Sequence, residues 1–316
     1  MNKQDFTRTL IELAVDQGMK GMKENPHRSI RRMADLGRQF SKGRFQEQIF
    51  TLFQKLLTNE NSPYYDIMAN LFDNVDEAAL KRFGINIGYN AWTWGACQIR
   101  KKEQETGTEF PWLLKLVWSP SSQHGLSLAE INALVTGNRK NGVYAYWIPT
   151  HGSLAGNTEI FSVFRNFPDC IFILDLTESD CRLTAAQLAA IKECPNTALL
   201  LPSAKDGCLE LSGALKAQKS LYAVSLAYSD RDMENILTGK WVYDLLPFGS
   251  KILCMTARPD CSGESRKKAG DFALAARLNE KYPAILIDWF ADIDRVQKII
   301  STPLQSDLPP YRTVMS

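Results

Sequence analysis

The sequence predicts an α/β fold, in which a partial or nearly closed parallel barrel of six to seven βα units follows an all-helical N-terminal subdomain. Seven short runs of Val, Ile, Leu, Tyr, Phe and Trp lie at 112–118, 143–148, 171–176, 198–201, 221–226, 251–255 and 284–289. Such runs are typical of strands that are buried on both faces. They recur about every 30 residues, with a polar loop and usually an amphipathic stretch between them, as in βαβ units. No eighth run follows Ile300.

The first 110 residues show helical spacing instead. Apolar residues recur on one helical face from Phe6 to Gly18 and again over 49–57. Pro63 suits the first turn of a third helix, and the acids from Asp76 onward suit the start of a fourth. We therefore divide the chain into a helical subdomain with a docking segment (1–110), a βα barrel (111–301) and a tail with three prolines (302–316).

Composition excludes several classes of protein. The 316 residues are 45% hydrophobic and 23% charged, as in ordinary globular proteins, and the net charge of +2 gives no reason to expect nucleic acid as a partner. No stretch approaches the ~20 apolar residues that span a bilayer, and the N-terminus has no secretory signal pattern. The sequence therefore predicts a cytoplasmic protein without a transmembrane segment.

The seven cysteines include no CxxC pair. Cys170 and Cys254 fall in or beside predicted strands, so reduced, buried thiols in a cytoplasmic protein are expected. Cys254 and Cys261 flank one predicted loop, and a redox pair there is the alternative. The three histidines lie far apart in the sequence, and no His/Cys cluster has the spacing of metal ligands.

Two N-terminal segments are unusual in composition. Residues 20–44 hold eight Lys and Arg against Glu24 and Asp35, which indicates a solvated helix face or, alternatively, an anion-binding or docking surface. Residues 83–97 mix small residues with large aromatic ones, a pattern that favours close docking of the helices onto the first strand. Asn86 and Asn90 in this segment are expected to satisfy buried backbone groups, with ligand binding as the alternative.

Several segments together resemble a known family. These are 111–115 (PWLLK), 125–131 (GLSLAEI), 137–146 (GNRKNGVYAY) and 164–173 (FRNFPDCIFI). They resemble the first units of radical S-adenosylmethionine (radical-SAM) barrels, and most of all a clostridial-type group with an N-terminal helical region. The similarity covers roughly residues 75–295. It implies a radical-SAM-like TIM-type barrel whose ligands lie in the loops after the strands.

The sequence departs from that family at its chemical motifs. The family carries CxxxCxxC after the first strand, and these thiolates hold a [4Fe–4S] cluster. Here the corresponding segment, 119–124, reads SPSSQH. The family's Gly-Gly-Glu-Pro motif after the second strand, which holds the methionine amino group, is replaced at 150–154 by THGSL. The resemblance without these motifs predicts a degenerate member that has no [4Fe–4S] cluster and no radical-SAM chemistry, and nothing in the sequence supports S-adenosylmethionine binding.

The candidate ligand-binding residues lie in or beside the loops that follow the predicted strands, because parallel sheets bind ligands there. They are His124, Thr150, His151, Gly152, Ser153, Ser203, Asp206, Ser225, Tyr228 and Asp288. No residue is predicted to be catalytic or to bind a metal, and the alternative is that the two loop histidines, with Asp175, Asp206 or Asp288, bind a metal or transfer protons. No GxSxG, GxGxxG or GxxxxGK[ST] motif occurs.

Two functions from different classes follow from these residues. The first is a cluster-less binding, accessory or regulatory protein, whose partner is an intact radical-SAM relative or a second copy of this chain. The second is an enzyme or small-molecule binder that reuses the loops at the barrel rim. The sequence favours the first, because the family's motifs are absent and no new catalytic group replaces them.

Overall fold

A single parallel sheet organises the protein. The computed structural model describes residues 3–40, 51–119, 125–152, 157–301 and 312–314. The sheet has eight strands in the order β7-β6-β5-β4-β3-β2-β1-β8, and all neighbours are parallel. The strands are β1 (Leu113–Leu116), β2 (Ala145–Gly152), β3 (Ile171–Ser179), β4 (Thr197–Pro202), β5 (Tyr222–Tyr228), β6 (Ile252–Ala257), β7 (Ile285–Asp288) and β8 (Arg312–Val314).

The predicted α/β architecture is confirmed. Each of the seven apolar runs overlaps one of the strands β1 to β7, and the sheet curls into an open half-barrel between its two edge strands, β7 and β8. The structure adds one element to the prediction. Residues 312–314, which were assigned to the tail, form β8 and pair with β1, while residues 302–311 lie outside the described part of the chain.

Helices connect the strands and precede the sheet. They are α1 (Lys3–Lys20), α2 (Pro26–Phe40), α3 (Pro63–Asn74), α4 (Glu77–Ile85), α5 (Ala96–Thr106), α6 (Leu128–Arg139), α7 (Ile160–Asn166), α8 (Ala185–Lys192), α9 (Cys208–Ala217), α10 (Met233–Thr238), α11 (Lys240–Leu245), α12 (Gly263–Leu278) and α13 (Trp289–Ile300). No helix in these described ranges has the length and hydropathy that a membrane span needs.

The sheet has two distinct faces. Helices α6 to α9 and α12 pack on the outer face, where Tyr146, Phe172 and Leu174 are fully buried. The inner face carries Leu113, Trp147 and other residues that pack against α5 and α13. Because side chains alternate along each strand, every strand contributes to both faces. This alternation decides which of the candidate residues can meet.

Local signals in the sequence fix several of the helix starts. Ser127 caps α6 and Glu130 bonds back to it, which forms a capping box, and Thr184 and Gln187 do the same for α8. Asp76 caps α4 by accepting two backbone N–H groups. The caps at Ser127 and Thr184 begin crossover helices directly after the loops of the rim, whereas Asp76 begins a helix that precedes the sheet.

Residues 83–97 dock the helices onto the sheet, as predicted. Residues Asn86–Gly95 form a π-helix between α4 and α5. Asn86 Nδ2 donates to the carbonyls of Pro168 and Cys170, both at 2.9 Å, and Asn90 Nδ2 donates to the Asp169 carbonyl at 2.8 Å. Both asparagines therefore satisfy the backbone of the turn before β3, while Asn90 Oδ1 is buried with no hydrogen-bond partner in the described structure.

Candidate functional site

The predicted rim residues do not form one constellation. His124 and Ser153 lie outside the described residues, and Gly152 ends β2. His151 is exposed, after a register shift between β2 and β3. Thr150 is fully buried, and its hydroxyl donates to the Asp175 carbonyl at 2.9 Å. Of this group only Thr150 has a clear role, which is to tie β2 to β3 next to the shift.

The candidates that follow β4 and β5 also differ in environment. Asp206 is exposed, and the Ser203 amide donates to the Ser225 carbonyl at 2.8 Å as an extension of the ladder. Ser225 is buried, and its hydroxyl is 2.9 Å from Thr256 Oγ1 on β6. The Ser225–Thr256 pair lies on the inner face.

Tyr228 and Asp288 meet on the outer face instead. The Tyr228 hydroxyl donates to Asp288 Oδ2 at 3.0 Å, while Asp288 Oδ1 accepts from the Ala291 amide and so caps α13. Burial raises the pKa of both groups, and the neighbouring carboxylate raises the pKa of Tyr228 further. Their contacts are those of a structural link between β5, β7 and α13.

A different group occupies the inner face at the carboxyl ends of β1 to β3. The Lys115 ammonium lies 4.7 Å from the centroid of the Trp147 ring, a cation–π contact. Trp147 Nε1 in turn donates to Asp175 Oδ2 at 2.8 Å, and Asp175 Oδ1 accepts from the Thr177 amide at 2.8 Å. Lys115, Trp147 and Asp175, which we call the inner-face cluster, thus join three consecutive strands.

Burial sets the electrostatics of this cluster. It raises the pKa of Asp175, although the hydrogen bonds from Thr177 and Trp147 oppose the shift. It lowers the pKa of Lys115, against the opposing charges of Asp175 and Glu178. Lys115 has no ion-pair partner within 4.0 Å among the described residues. The cluster therefore offers a partly desolvated cation that an anionic group could satisfy.

The first residue of α13 extends this surface. The rings of Trp147 and Trp289 meet edge to face at 5.2 Å. Trp289 is 9% exposed, and its Nε1 is buried with no hydrogen-bond partner in the described structure. A buried indole N–H without an acceptor is costly unless a ligand or water supplies one. Lys115 and Trp289 were missed in the sequence, although Lys115 is a charged residue in the middle of an apolar strand run.

The cysteines do not fit a cluster of the radical-SAM type. Cys181, after β3, and Cys208, at the start of α9, form a disulfide, so the expectation of reduced thiols is wrong for this pair. Cys254 and Cys261 are free and buried, and burial raises the pKa of both thiols. No group of three or more His, Cys, Asp or Glu in the described ranges is arranged to hold a metal. The donor set at the end of β1, where Ser119 follows the strand, therefore lacks the soft thiolate ligands of iron.

Comparison with known proteins gives only distant matches. No family model and no curated protein matches the sequence. Streptococcus suis SuiB bound to precursor peptide SuiA aligns over 60% of this chain and 51% of SuiB, with 8% identity and a TM-score of 0.46. A second SuiB structure aligns over 68% and 52%, with 10% identity and a TM-score of 0.41. The chain thus spans about half the length of SuiB.

A third match is a 3-hexulose-6-phosphate synthase, over 64% of this chain and 88% of that protein, with 15% identity and a TM-score of 0.32. These scores are too low to carry an argument about function, so the architecture rests on the strand order and register. The sheet is an open parallel βα barrel whose first seven strands follow the order of the sequence.

Proposed function

We propose that this protein is a radical-SAM-like barrel that has no [4Fe–4S] cluster and acts as a binding, accessory or regulatory partner. One observation carries the proposal. No thiol follows β1, where the family's cluster would be held, and the inner face beside that position instead presents the inner-face cluster. An ammonium, an indole and a carboxylate recognise ligands, but they do not replace three thiolates.

The remaining thiols near the rim do not restore a cluster site. Cys181 and Cys208 are bonded to each other, and Cys261 contacts Asp230 at 3.6 Å. The negative charge of Asp230 and burial both raise the pKa of Cys261, which disfavours the thiolate that iron needs. The partner in this proposal is an intact radical-SAM relative or a second copy of this chain, in the cytoplasm that the sequence predicts.

Anaerobic reconstitution with iron and sulfide tests the proposal. The protein is expected to keep substoichiometric iron after desalting and to show no charge-transfer absorbance of a cluster. A Cys181→Ala/Cys208→Ala/Cys261→Ala variant is the matched control, since it removes the rim thiols. If the wild type binds stoichiometric iron and sulfide and this variant does not, the proposal of a protein without a cluster is overturned.

A second function is favoured by Lys115 and Trp289, whose N–H groups lie on the inner face without an acceptor among the described residues. In this function the inner face binds the carboxylate group of a small molecule. S-adenosylmethionine, which carries a carboxylate, is the probe for calorimetry. Lys115→Met is expected to weaken any binding by about tenfold or more, the value of a charge-assisted hydrogen bond. Lys192→Met, at an exposed position of α8, is the control. Equal binding by both variants would show that Lys115 does not contact the ligand.

A further inference from the structure

An apolar cavity of about 380 Å³ lies in the N-terminal part of the protein, away from the rim loops. Helices α1 to α4, the π-helix and the amino-terminal ends of the strands β5 and β6 enclose it, and it is partly open to solvent. Its lining is apolar apart from Lys81, and it includes Met19, Met33 and Met68. Methionine side chains adapt to ligands of variable shape.

The size of the cavity limits the ligand. An engineered apolar cavity of about 150 Å³ stays dry and holds benzene, so this cavity corresponds to a chain of roughly 15 carbon atoms. Leu36, Leu71 and Phe72 on its wall remain only half-buried. An apolar ligand would remove this surface from water, which is favourable by about 25 cal/mol per Å².

The charges around the cavity favour an anionic head group. Lys81 pairs with Asp16 at 2.6 Å, but Asp16 is 38% exposed, and such a pair contributes at most about 1 kcal/mol. An anion can therefore replace Asp16 at small cost. Helix α2, which forms one wall, carries four arginines against a single acid, Asp35. None of these arginines lines the cavity, so their excess positive charge attracts anions towards this part of the protein without contacting the ligand.

We propose that this cavity binds one free fatty acid of about 14 carbons, with the chain among the methionines and the carboxylate beside Lys81. The site is separate from the inner face of the barrel.

Calorimetry with tetradecanoate, below its micelle concentration, tests the proposal on the full chain. Gly88 lines the cavity, and a Cβ atom built there meets nothing within 4 Å, so the backbone has room for a side chain and Gly88→Leu places four carbons at the cavity wall. It is expected to reduce affinity about 100-fold, since four side-chain carbons displace about four methylenes of the ligand. Gly213→Leu is the matched control, because Gly213 is an exposed helical glycine with the same open space.

The head group is tested separately. Asp16→Asn is expected to strengthen binding of tetradecanoate but not of tetradecanol, because it frees the Lys81 ammonium, whereas Lys81→Met should remove the preference for the acid. Thermal unfolding of each variant shows that it is folded. Failure of the wild type to bind tetradecanoate, equal binding by Gly88→Leu and Gly213→Leu, or binding only to anionic phospholipid vesicles would each overturn the proposal.

Discussion

Trp147 and Asp175 are joined by a 2.8 Å hydrogen bond from the indole Nε1 to a carboxylate that is only 3% exposed. The two residues lie on the inner faces of adjacent strands, and Lys115 contacts the other side of the same indole. Trp147 thus connects a cation to an acid that do not touch each other. The charge states of both ends depend on how far water is excluded from this face.

The stability of the protein should depend on the protonation of Asp175. Burial raises the pKa of Asp175 in the folded protein above the ordinary value of an aspartate, so its contribution to stability is complete below the unfolded pKa and is lost as pH rises through the folded pKa. The Asp175→Asn variant has no carboxyl group to ionise at this position, so it does not lose this stability as pH rises. Its free energy of unfolding, measured in urea at several pH values, should therefore gain on the wild type as pH rises above about 4. Asp206→Asn, on an exposed loop, is the control, and parallel pH profiles for Asp175→Asn and wild type would contradict the prediction.

The Cys181–Cys208 disulfide should be detectable and stabilising. Alkylation of the denatured, unreduced protein should label only the five cysteines that are free in the structure. Loss of the crosslink, which spans 27 residues, should lower the free energy of unfolding by about 3.5 kcal/mol in the chain-entropy model. A Cys181→Ala/Cys208→Ala variant measures this loss, with Cys97→Ala as the exposed control. Labelling of all seven cysteines before reduction would exclude the bond.

The hydrogen bond from Tyr228 to Asp288 should contribute to stability. Tyr228→Phe removes the donor and leaves Asp288 Oδ2 buried, at a cost of about 1–3 kcal/mol. Chemical denaturation gives the difference in midpoint and slope. Tyr243→Phe, at a position that is 56% exposed, should change little. The prediction is contradicted if Tyr228→Phe is as stable as the wild type. If that variant also loses ligand binding, the pair is more than a structural link.

Asn86 should be important for folding rather than for binding. Asn86→Ala leaves the carbonyls of Pro168 and Cys170 without their donor, and the expected loss is about 3 kcal/mol. The exposed Asn235→Ala is the comparison. Thermal and urea unfolding measure both variants. An unchanged midpoint for Asn86→Ala would reopen the alternative of a ligand role.

The strands were predictable because each is an apolar run buried on both faces, and the periodicity of the chain carries that information. β8 was not, because it has three residues, follows a pair of prolines and is specified by pairing with the distant β1. The same holds for Cys181 and Cys208. They approach because β3 and β4 are neighbours in the sheet, and the spacing of the cysteines in the sequence does not reveal that the strands are neighbours.

The candidate site was predicted only in part. Position after a strand led to Thr150, Ser225 and Asp288, but the face of the sheet decides which side chains meet. Asp288 points to the outer face, whereas Ser225 lies on the inner one. Trp289 was overlooked because an aromatic residue at the end of a strand is normally interpreted as part of the hydrophobic core. Its unbonded Nε1 becomes visible only when the packing is known.

The pairing of β8 with β1 has a consequence for the integrity of the sheet. β8 covers the backbone of Leu114 to Leu116, whose other side already pairs with β2. A protein shortened after residue 301 would leave that strand with a bare hydrogen-bonding edge, a template for strand addition by another polypeptide. With β8 in place, the exposed edge of the sheet is a strand of three residues instead of the four-residue β1, and short edge strands are poorer templates for such addition.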